Sequence, residues 1–432
     1  MKRIKIVTLG CSKNLVDSEV LGGVLYDRGM EISPDFDTAD AIIVNTCGFI
    51  NTAREESINT ILEAVEEKKA GNFKKVYVMG CMSEKYKDEI IKEIPEVDAV
   101  YGLKEFDKMS QDISGIKIGN MNELFNERLA LESDHFAYIR ISDGCDHNCA
   151  YCSIPSMRGK YVSRSMESIT EEIRNLVDAG VKELILIGQE INSYGLDLYG
   201  EKRINILLKQ ISKIAGDSVW IRLMYTHPPM VDREFLETIA SCKNIVKYID
   251  FPVEHTETKI LKAMKRGNSR EGLLDKIKMM REVIPEICIR TSIIVGFPGE
   301  TDEVFESMLD FIKEVEFDRL GCFAYSPEEG TPAYDLPNPL SDKIVQDRIS
   351  RIMEIQQGIS LKKNEKLIDT EIKVLIDRHE GEISIGRTYR DAPEIDNEVL
   401  IHGLLDIGEY YTVRITDALE FDIEAVLLDK IN

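Results

Sequence analysis

Short runs of β-branched and aliphatic residues alternate with charged, helically spaced stretches along most of this chain. From residue 1 to about 118, apolar runs at 4–9, 41–45 and 75–79 predict strands. The 3.6-residue spacing at 18–28 and 53–69 predicts helices between them, the pattern of a doubly wound parallel sheet. A polar connector at 119–133 leads to a second zone, with strands predicted at 137–142, 183–187, 220–225, 246–251, 289–295 and 319–325. Six parallel strands with intervening helices imply a partial (β/α)6 barrel rather than a closed eight-fold one. A helix predicted at 342–366 bridges to short alternating strands at 372–376, 398–401 and 411–416. These are broken by Gly381, Gly386, Gly403 and Gly408 and read as a small antiparallel β-barrel. The expected class is α/β, with domains at 1–118, 135–366 and 370–432.

Composition narrows the function. At 432 residues the chain exceeds one typical core, and 43% hydrophobic with 30% charged residues describes a globular protein. No apolar run approaches the length of a membrane span, and Met1-Lys2-Arg3-Ile4 runs directly into a strand pattern; a cytoplasmic protein without a membrane role is expected. Nine cysteines in such a chain point to metal or redox work rather than disulfides. The net charge of −23 repels nucleic acid and favours a basic partner.

Three cysteines fall within eight residues, Cys145-x3-Cys149-x2-Cys152. Three thiolates at that spacing can wrap a 4Fe–4S cluster and leave the fourth iron open for chemistry. A structural zinc site is the alternative, although no paired half or histidine partner at zinc spacing lies nearby. A second trio, Cys11, Cys47 and Cys81, is scattered in sequence, yet each residue follows the end of a predicted strand. The carboxyl ends of an open parallel sheet share one edge, so these thiols can converge on a second cluster. Otherwise they are three unrelated buried thiols. Cys242, Cys288 and Cys322 sit beside or within apolar segments and read as core.

Polar groups also collect at the predicted strand ends of the barrel, the side where active sites are built. They include Gln189 and Glu190, Arg222, His227, His255, and the Gly296–Gly299 turn. Together they would line one mouth for a nucleoside-like cofactor; singly, each reads as a loop or a hydrogen-bonding structural residue.

Cys145-x3-Cys149-x2-Cys152 resembles the signature of the radical S-adenosylmethionine enzymes. With Cys11, Cys47 and Cys81 and a C-terminal small barrel, the chain is similar to the methylthiotransferases over nearly its whole length. The resemblance implies an N-terminal cluster domain, a radical domain and a TRAM domain, with two 4Fe–4S clusters and S-adenosylmethionine as cofactors. It also implies a 5′-deoxyadenosyl radical that abstracts hydrogen from substrate, sulfur presented by the second cluster, and an external electron donor. The stretches Leu9-Gly10-Cys11-Ser12-Lys13-Asn14-Leu15-Val16-Asp17-Ser18-Glu19, Ser153-Ile154-Pro155-Ser156-Met157-Arg158-Gly159 and Arg290-Thr291-Ser292-Ile293-Ile294-Val295-Gly296-Phe297-Pro298-Gly299-Glu300-Thr301 resemble one branch. That branch modifies the β-carbon of an aspartate in ribosomal protein uS12, free or on the small subunit.

Charge agrees with that branch. Residues 371–432 carry 6 Lys and Arg against 15 Asp and Glu, a barrel suited to a basic protein and poorly suited to RNA phosphates. The alternatives are a branch that methylthiolates adenosine in tRNA, and a non-enzymatic iron–sulfur or RNA-binding protein. The chain departs from the family pattern at Glu254, where glutamine is common, at Glu190, where aspartate is frequent, and at Ser83-Glu84-Lys85.

Overall fold

The computed structural model describes residues 3–34, 39–115, 124–337 and 340–431; the first part of the predicted 119–133 connector lies outside them. Strands β1 (Arg3–Thr8), β2 (Glu31–Ile32), β3 (Ala41–Thr46), β4 (Lys75–Gly80) and β5 (Ala99–Val100) form an all-parallel sheet in the order β2-β1-β3-β4-β5. Every residue of β3 is buried, as the central strand of a sheet covered on both faces requires. Helix α1 (Ser12–Asp27) follows β1, α2 (Asn51–Ala70) follows β3 and α3 (Cys81–Glu93) follows β4. Residues 13–25 of α1 are all buried, because the helix is sandwiched between this sheet and the first barrel strand. Helices enclosed in this way are apolar nearly all round. Of the buried polar residues that α1 carries, Asn14, Asp17, Ser18 and Glu19 each find a hydrogen-bond or ionic partner.

The central region begins with β6 (Phe136–Arg140) and a short antiparallel pair, β7 (Ser142–Asp143) with β8 (Val162–Ser163). Strands β9 (Glu183–Ile187) and β10 (Trp220–Leu223) complete a parallel segment β10-β9-β6. Strands β11 (Tyr248–Asp250), β12 (Cys288–Val295) and β13 (Arg319–Ala324) form a second parallel segment, joined to the first through an Ile221–Ile245 bridge. The six strands thus form an arc with edges at β6 and β13. The N-terminal unit covers part of that opening: α1 packs on β6, and Arg54 pairs with Glu328 beyond β13. Ser165, Asp232, Ser269 and Thr301 cap four barrel helices by accepting a backbone N–H from the residue three positions on. Each such cap is worth about 1 kcal/mol.

A long helix (Asp342–Glu365) leads to β14 (Glu371–Glu380), β15 (Ile383–Arg387), β16 (Val399–His402), β17 (Tyr410–Ala418) and β18 (Ile423–Lys430), which close in the order β14-β15-β16-β18-β17. One pair, β16 with β18, is parallel in this otherwise antiparallel barrel. The barrel docks on the N-terminal end of the central strands: Tyr410 donates to Lys182 O at 2.6 Å and Asp377 meets His135 at 2.8 Å. Strands β15 and β18 are absent from the sequence reading, since their apolar positions are interrupted by glycine or acidic residues. The predicted strand at 220–225 stops at Leu223, because Tyr225 turns the chain at φ +63°. Among the described residues no helix is long and apolar enough to cross a membrane.

Candidate functional site

Cys145, Cys149 and Cys152 lie on the loop between β7 and a short helix at Ile154–Arg158, at the carboxyl end of the barrel strands. The loop is fixed by its backbone. Cys145 N donates to Gly159 O at 3.1 Å, Ala150 N to Met264 O at 2.9 Å, and Ala333 N to Ala150 O at 2.8 Å. Burial pushes the Cys145 thiol up to about 11 and the Cys152 thiol to about 12. Raised thiols of this kind are not free nucleophiles, and a bound cation would have to displace their protons. The guanidinium of Arg266 lies against them, with Nη1 3.6 Å from Cys149 Sγ.

The second trio is built on adjacent strands. Cys11 precedes α1 at the end of β1, Cys47 follows β3, and Cys81 opens α3 after β4. In the order β2-β1-β3-β4-β5 the topology reverses between β1 and β3, the place where open parallel sheets bind ligands. Gly10 permits this convergence: at φ +91° a Cβ there would lie 2.7 Å from Cys47 Sγ. Burial raises Cys47, and pushes Cys81 up to about 12 despite the nearby Arg158 charge. Among the described residues no three His, Cys, Asp or Glu side chains are gathered tightly enough to hold a single metal ion. A four-iron cluster spreads its thiolates over separate irons and does not require them to meet at one point.

Arg158 joins the two trios. It stands six residues after Cys152 and reaches back into the N-terminal unit. Its Nη2 donates to Asn14 Oδ1 at 2.8 Å and Asp17 Oδ2 at 2.9 Å, and its Nη1 to Asp143 Oδ1 at 3.2 Å. The same Asn14 Oδ1 lies 3.5 Å from Cys81 Sγ. Ser153, next to Cys152, donates to Phe49 O, two residues past Cys47, at 3.4 Å. In the sequence Asn14 and Arg158 stand only as parts of longer motifs, and their spatial partnership has no sequence signal.

Most of the polar residues expected at the barrel mouth do gather there. Gln189 donates to Asp143 Oδ1 at 3.0 Å. The buried Glu190 accepts from Ser193 N at 2.9 Å, and its other oxygen is 3.4 Å from His147. His227 stacks on His147 with centroids 3.8 Å apart and planes 6° apart; burial, with Arg266 and His147 adding, pushes its pKa down to about 2, so it is neutral. His255 Nδ1 accepts from Glu257 N at 3.0 Å, and its Nε2 faces Glu300 at 3.5 Å. Gly296 and Gly299 form a turn tied by Gly296 N to Glu300 Oε2 at 3.0 Å; Gly296 is packed under Val345 and Gly299 beneath Ile260. Among the described residues, Gln189 Oε1, Asn192 Nδ2, His227 Nδ1, His255 Nε2 and Arg266 Nε are buried without a hydrogen-bond partner. Buried polar atoms are rarely left unpaired, so this cluster beside three thiols fits a polar cofactor held on a cluster.

Arg222 does not join them. Its Nε donates to Glu183 Oε1 at 2.7 Å and its Nη1 to Tyr389 O at 2.9 Å, at the opposite end of the barrel, where it helps seat the C-terminal domain. An inward-facing strand position does not by itself tell the sequence reader which end of the barrel a long side chain reaches. Glu254, the residue that departs from the family pattern, is met by Arg266 at 3.6 Å, so the cation beside Cys149 also balances this carboxylate. Arg266 and His147 were not anticipated from sequence.

Residues 139–312 match the model of the Radical SAM superfamily, residues 3–102 that of Uncharacterized protein family UPF0004, and residues 368–428 that of the TRAM domain. Over 436 residues the chain is 44% identical to "Ribosomal protein uS12 methylthiotransferase RimO" of Clostridioides difficile (strain 630), covering 98% of each chain. It is 43% identical to the protein of the same name from Chloroherpeton thalassium, covering 98% of this chain and 97% of that one. Among solved structures it resembles the radical S-adenosylmethionine methyltransferase TsrM from Kitasatospora setae, with TM-score 0.54, 16% identity and 77% of each chain covered. The cobalamin-dependent S-adenosylmethionine radical enzyme OxsB gives TM-score 0.51 and 12% identity, covering 83% of this chain and 56% of that one. At such identity the structural likeness speaks to fold alone.

Proposed function

Because the chain belongs to the family of ribosomal protein uS12 methylthiotransferases, we propose that it inserts a methylthio group at the β-carbon of an aspartate in uS12. Membership in the radical SAM superfamily carries with it a 4Fe–4S cluster and S-adenosylmethionine. We assign that cluster to Cys145, Cys149 and Cys152, and a second one to Cys11, Cys47 and Cys81. When bound, the first cluster and S-adenosylmethionine supply a radical able to take hydrogen from an unactivated carbon, and the second supplies sulfur.

The observation that carries this reading is the juxtaposition of the two trios through Arg158, Asn14 and the Ser153–Phe49 contact. Two thiol sets so linked support a radical source and a sulfur source acting on one substrate carbon, and holding the reacting atoms in place is much of what the protein contributes. The residues perform distinct tasks. Gln189, Asn192 and His255 offer unpaired polar atoms for the amino-acid and nucleoside portions of S-adenosylmethionine. His227, neutral and stacked on His147, forms a wall of the mouth without adding charge. Arg158 and Arg266 place positive charge beside the thiols and offset part of the burial that raises them. The acidic C-terminal barrel supports a basic protein substrate, and an external reductant must supply the electron.

The deciding experiment compares a deletion strain with its parent by mass spectrometry of uS12 and of tRNA nucleosides. The reading requires loss of the methylthio mass from uS12 with tRNA nucleosides unchanged; loss from tRNA alone would transfer the chain to the tRNA branch.

A further inference from the structure

Resting on the uS12 reading above, we propose that Lys13 is the cation that receives the carboxylate of the substrate aspartate. Lys13 lies in the first turn of α1, two residues after Cys11, and is only 6% exposed. Lysine is almost never buried without a partner, because an ammonium taken out of water costs several kcal/mol unless a negative group answers it. The other buried cations of this seam are answered: Arg140 and Arg158 by Asp17, Arg128 by Glu19, and Arg164 by Glu172. Lys13 meets no carboxylate among the described residues; its Nζ rests 2.9 Å from the centroid of the Tyr225 ring. A cation–π contact returns less than the burial of an ammonium costs.

Tyr225 is itself held in an unusual state. It follows β10 at φ +63°, a region that bulky residues occupy only when their surroundings impose it, and such strain clusters at ligand clamps. Its N–H donates to Asp250 Oδ2 at 2.9 Å, and its carbonyl accepts from Ile191 N at 3.2 Å. Its hydroxyl comes within 3.5 Å of Ser12 Oγ. Tyr225 is two residues from His227 at the radical mouth, and Lys13 is two residues from Cys11, so their contact spans the gap between the trios.

The cation hydrogen-bonded to Asn14, whose Oδ1 lies 3.5 Å from Cys81 Sγ, is Arg158 and not Lys13. The first-turn N–H groups of α1 add further positive potential at the same point. A single buried ammonium beside a phenol suits one carboxylate. In an aspartyl side chain the β-carbon is one bond from that carboxylate, so fixing the carboxylate on Lys13 fixes the carbon that reacts.

The experiment measures binding by fluorescence anisotropy, and methylthio transfer by mass spectrometry, with the reconstituted holoenzyme. The probes are purified uS12 and uS12 with its target aspartate replaced by asparagine. The native enzyme binds the aspartate form about 10- to 100-fold more tightly, the worth of a hydrogen bond to a charged group. Lys13→Met abolishes that discrimination and raises KM for uS12 by a similar factor, while Lys13→Arg retains most of it. Equal discrimination by Lys13→Met and the native enzyme overturns the inference. Loss of iron from the N-terminal trio with discrimination intact overturns it too, and reassigns Lys13 to the cluster. If the native enzyme transfers nothing to uS12 but modifies tRNA, the functional reading itself fails, and the inference falls with it.

Discussion

Replacing Arg158 with methionine removes a buried side chain that touches both halves of the site. Its guanidinium donates to Asn14 at 2.8 Å, Asp17 at 2.9 Å and Asp143 at 3.2 Å, and it is 7% exposed. Taking away one partner of a buried ion pair costs about 3–5 kcal/mol, because the other charge is left uncompensated. Arg140 still pairs with Asp17 and stands 3.9 Å from Asp143, which places the loss near the low end, about 3 kcal/mol. At about 1.4 kcal/mol per decade, local opening of the seam rises roughly 100-fold. Amide hydrogen exchange reads this directly, without requiring the whole chain to unfold in one step. Protection along α1 and β6 falls by about two decades, while β14 to β18 are unaffected. Arg158→Lys keeps the charge but loses the two-pronged geometry and gives an intermediate result. Exchange in α1 within about threefold of the native protein would refute the reasoning: the two trios would then be held together without help from Arg158.

Further outcomes follow from individual contacts. Gly296→Ala loses about 2 kcal/mol or more, from a φ of +86° and a Cβ only 2.7 Å from Val345 Cγ2; Val345→Ala in the same chain restores part of the thermal midpoint. Arg266→Gln removes the positive charge 3.6 Å from Cys149 Sγ, and a redox titration followed by paramagnetic resonance then finds the cluster there harder to reduce. Acid loosens the C-terminal barrel. Burial alone would raise Asp377 and Asp318, but Arg387 and His135 outweigh it for the first, and Lys363 and Arg390 for the second, holding both carboxyls below the ordinary range. Depressed carboxylates stabilise above their unfolded pKa of about 4 and lose that contribution as pH falls through the folded values. Proteolytic release of residues 371–432 therefore begins below about pH 4, and Asp377→Asn makes the barrel easier to release at neutral pH.

What the sequence made legible was whatever rests on local periodicity and short spacing. The apolar runs of β1, β3, β4, β9 and β12 are long enough to read, and three cysteines in eight residues need no fold to be read as a candidate ligand set. The convergence of Cys11, Cys47 and Cys81 was also accessible, because the carboxyl ends of parallel strands share an edge whatever their separation in the chain. Contacts made by long side chains across the seam were not. Arg222 sits on a strand that leads to the mouth, yet its guanidinium runs to Glu183 and Tyr389 at the other end. Arg158 stood in a quoted motif without a role, since its partners Asn14 and Asp17 lie more than 140 residues earlier. Strands β15 and β18 escaped notice for a different reason: closing a small barrel lets pairing and twist impose strand structure on segments with weak alternation.

Iron and sulfide content after anaerobic reconstitution, measured beside product formation in the two cysteine triple variants, tests the central claim most directly. The native chain binds about eight irons in two clusters of four. With Cys11, Cys47 and Cys81 changed to alanine it keeps about four and still cleaves S-adenosylmethionine, but forms no methylthio product on uS12. With Cys145, Cys149 and Cys152 changed, it keeps the other four and cleaves nothing. Methylthio-uS12 formed by the first variant, or a native chain that saturates at about four irons, would contradict the account.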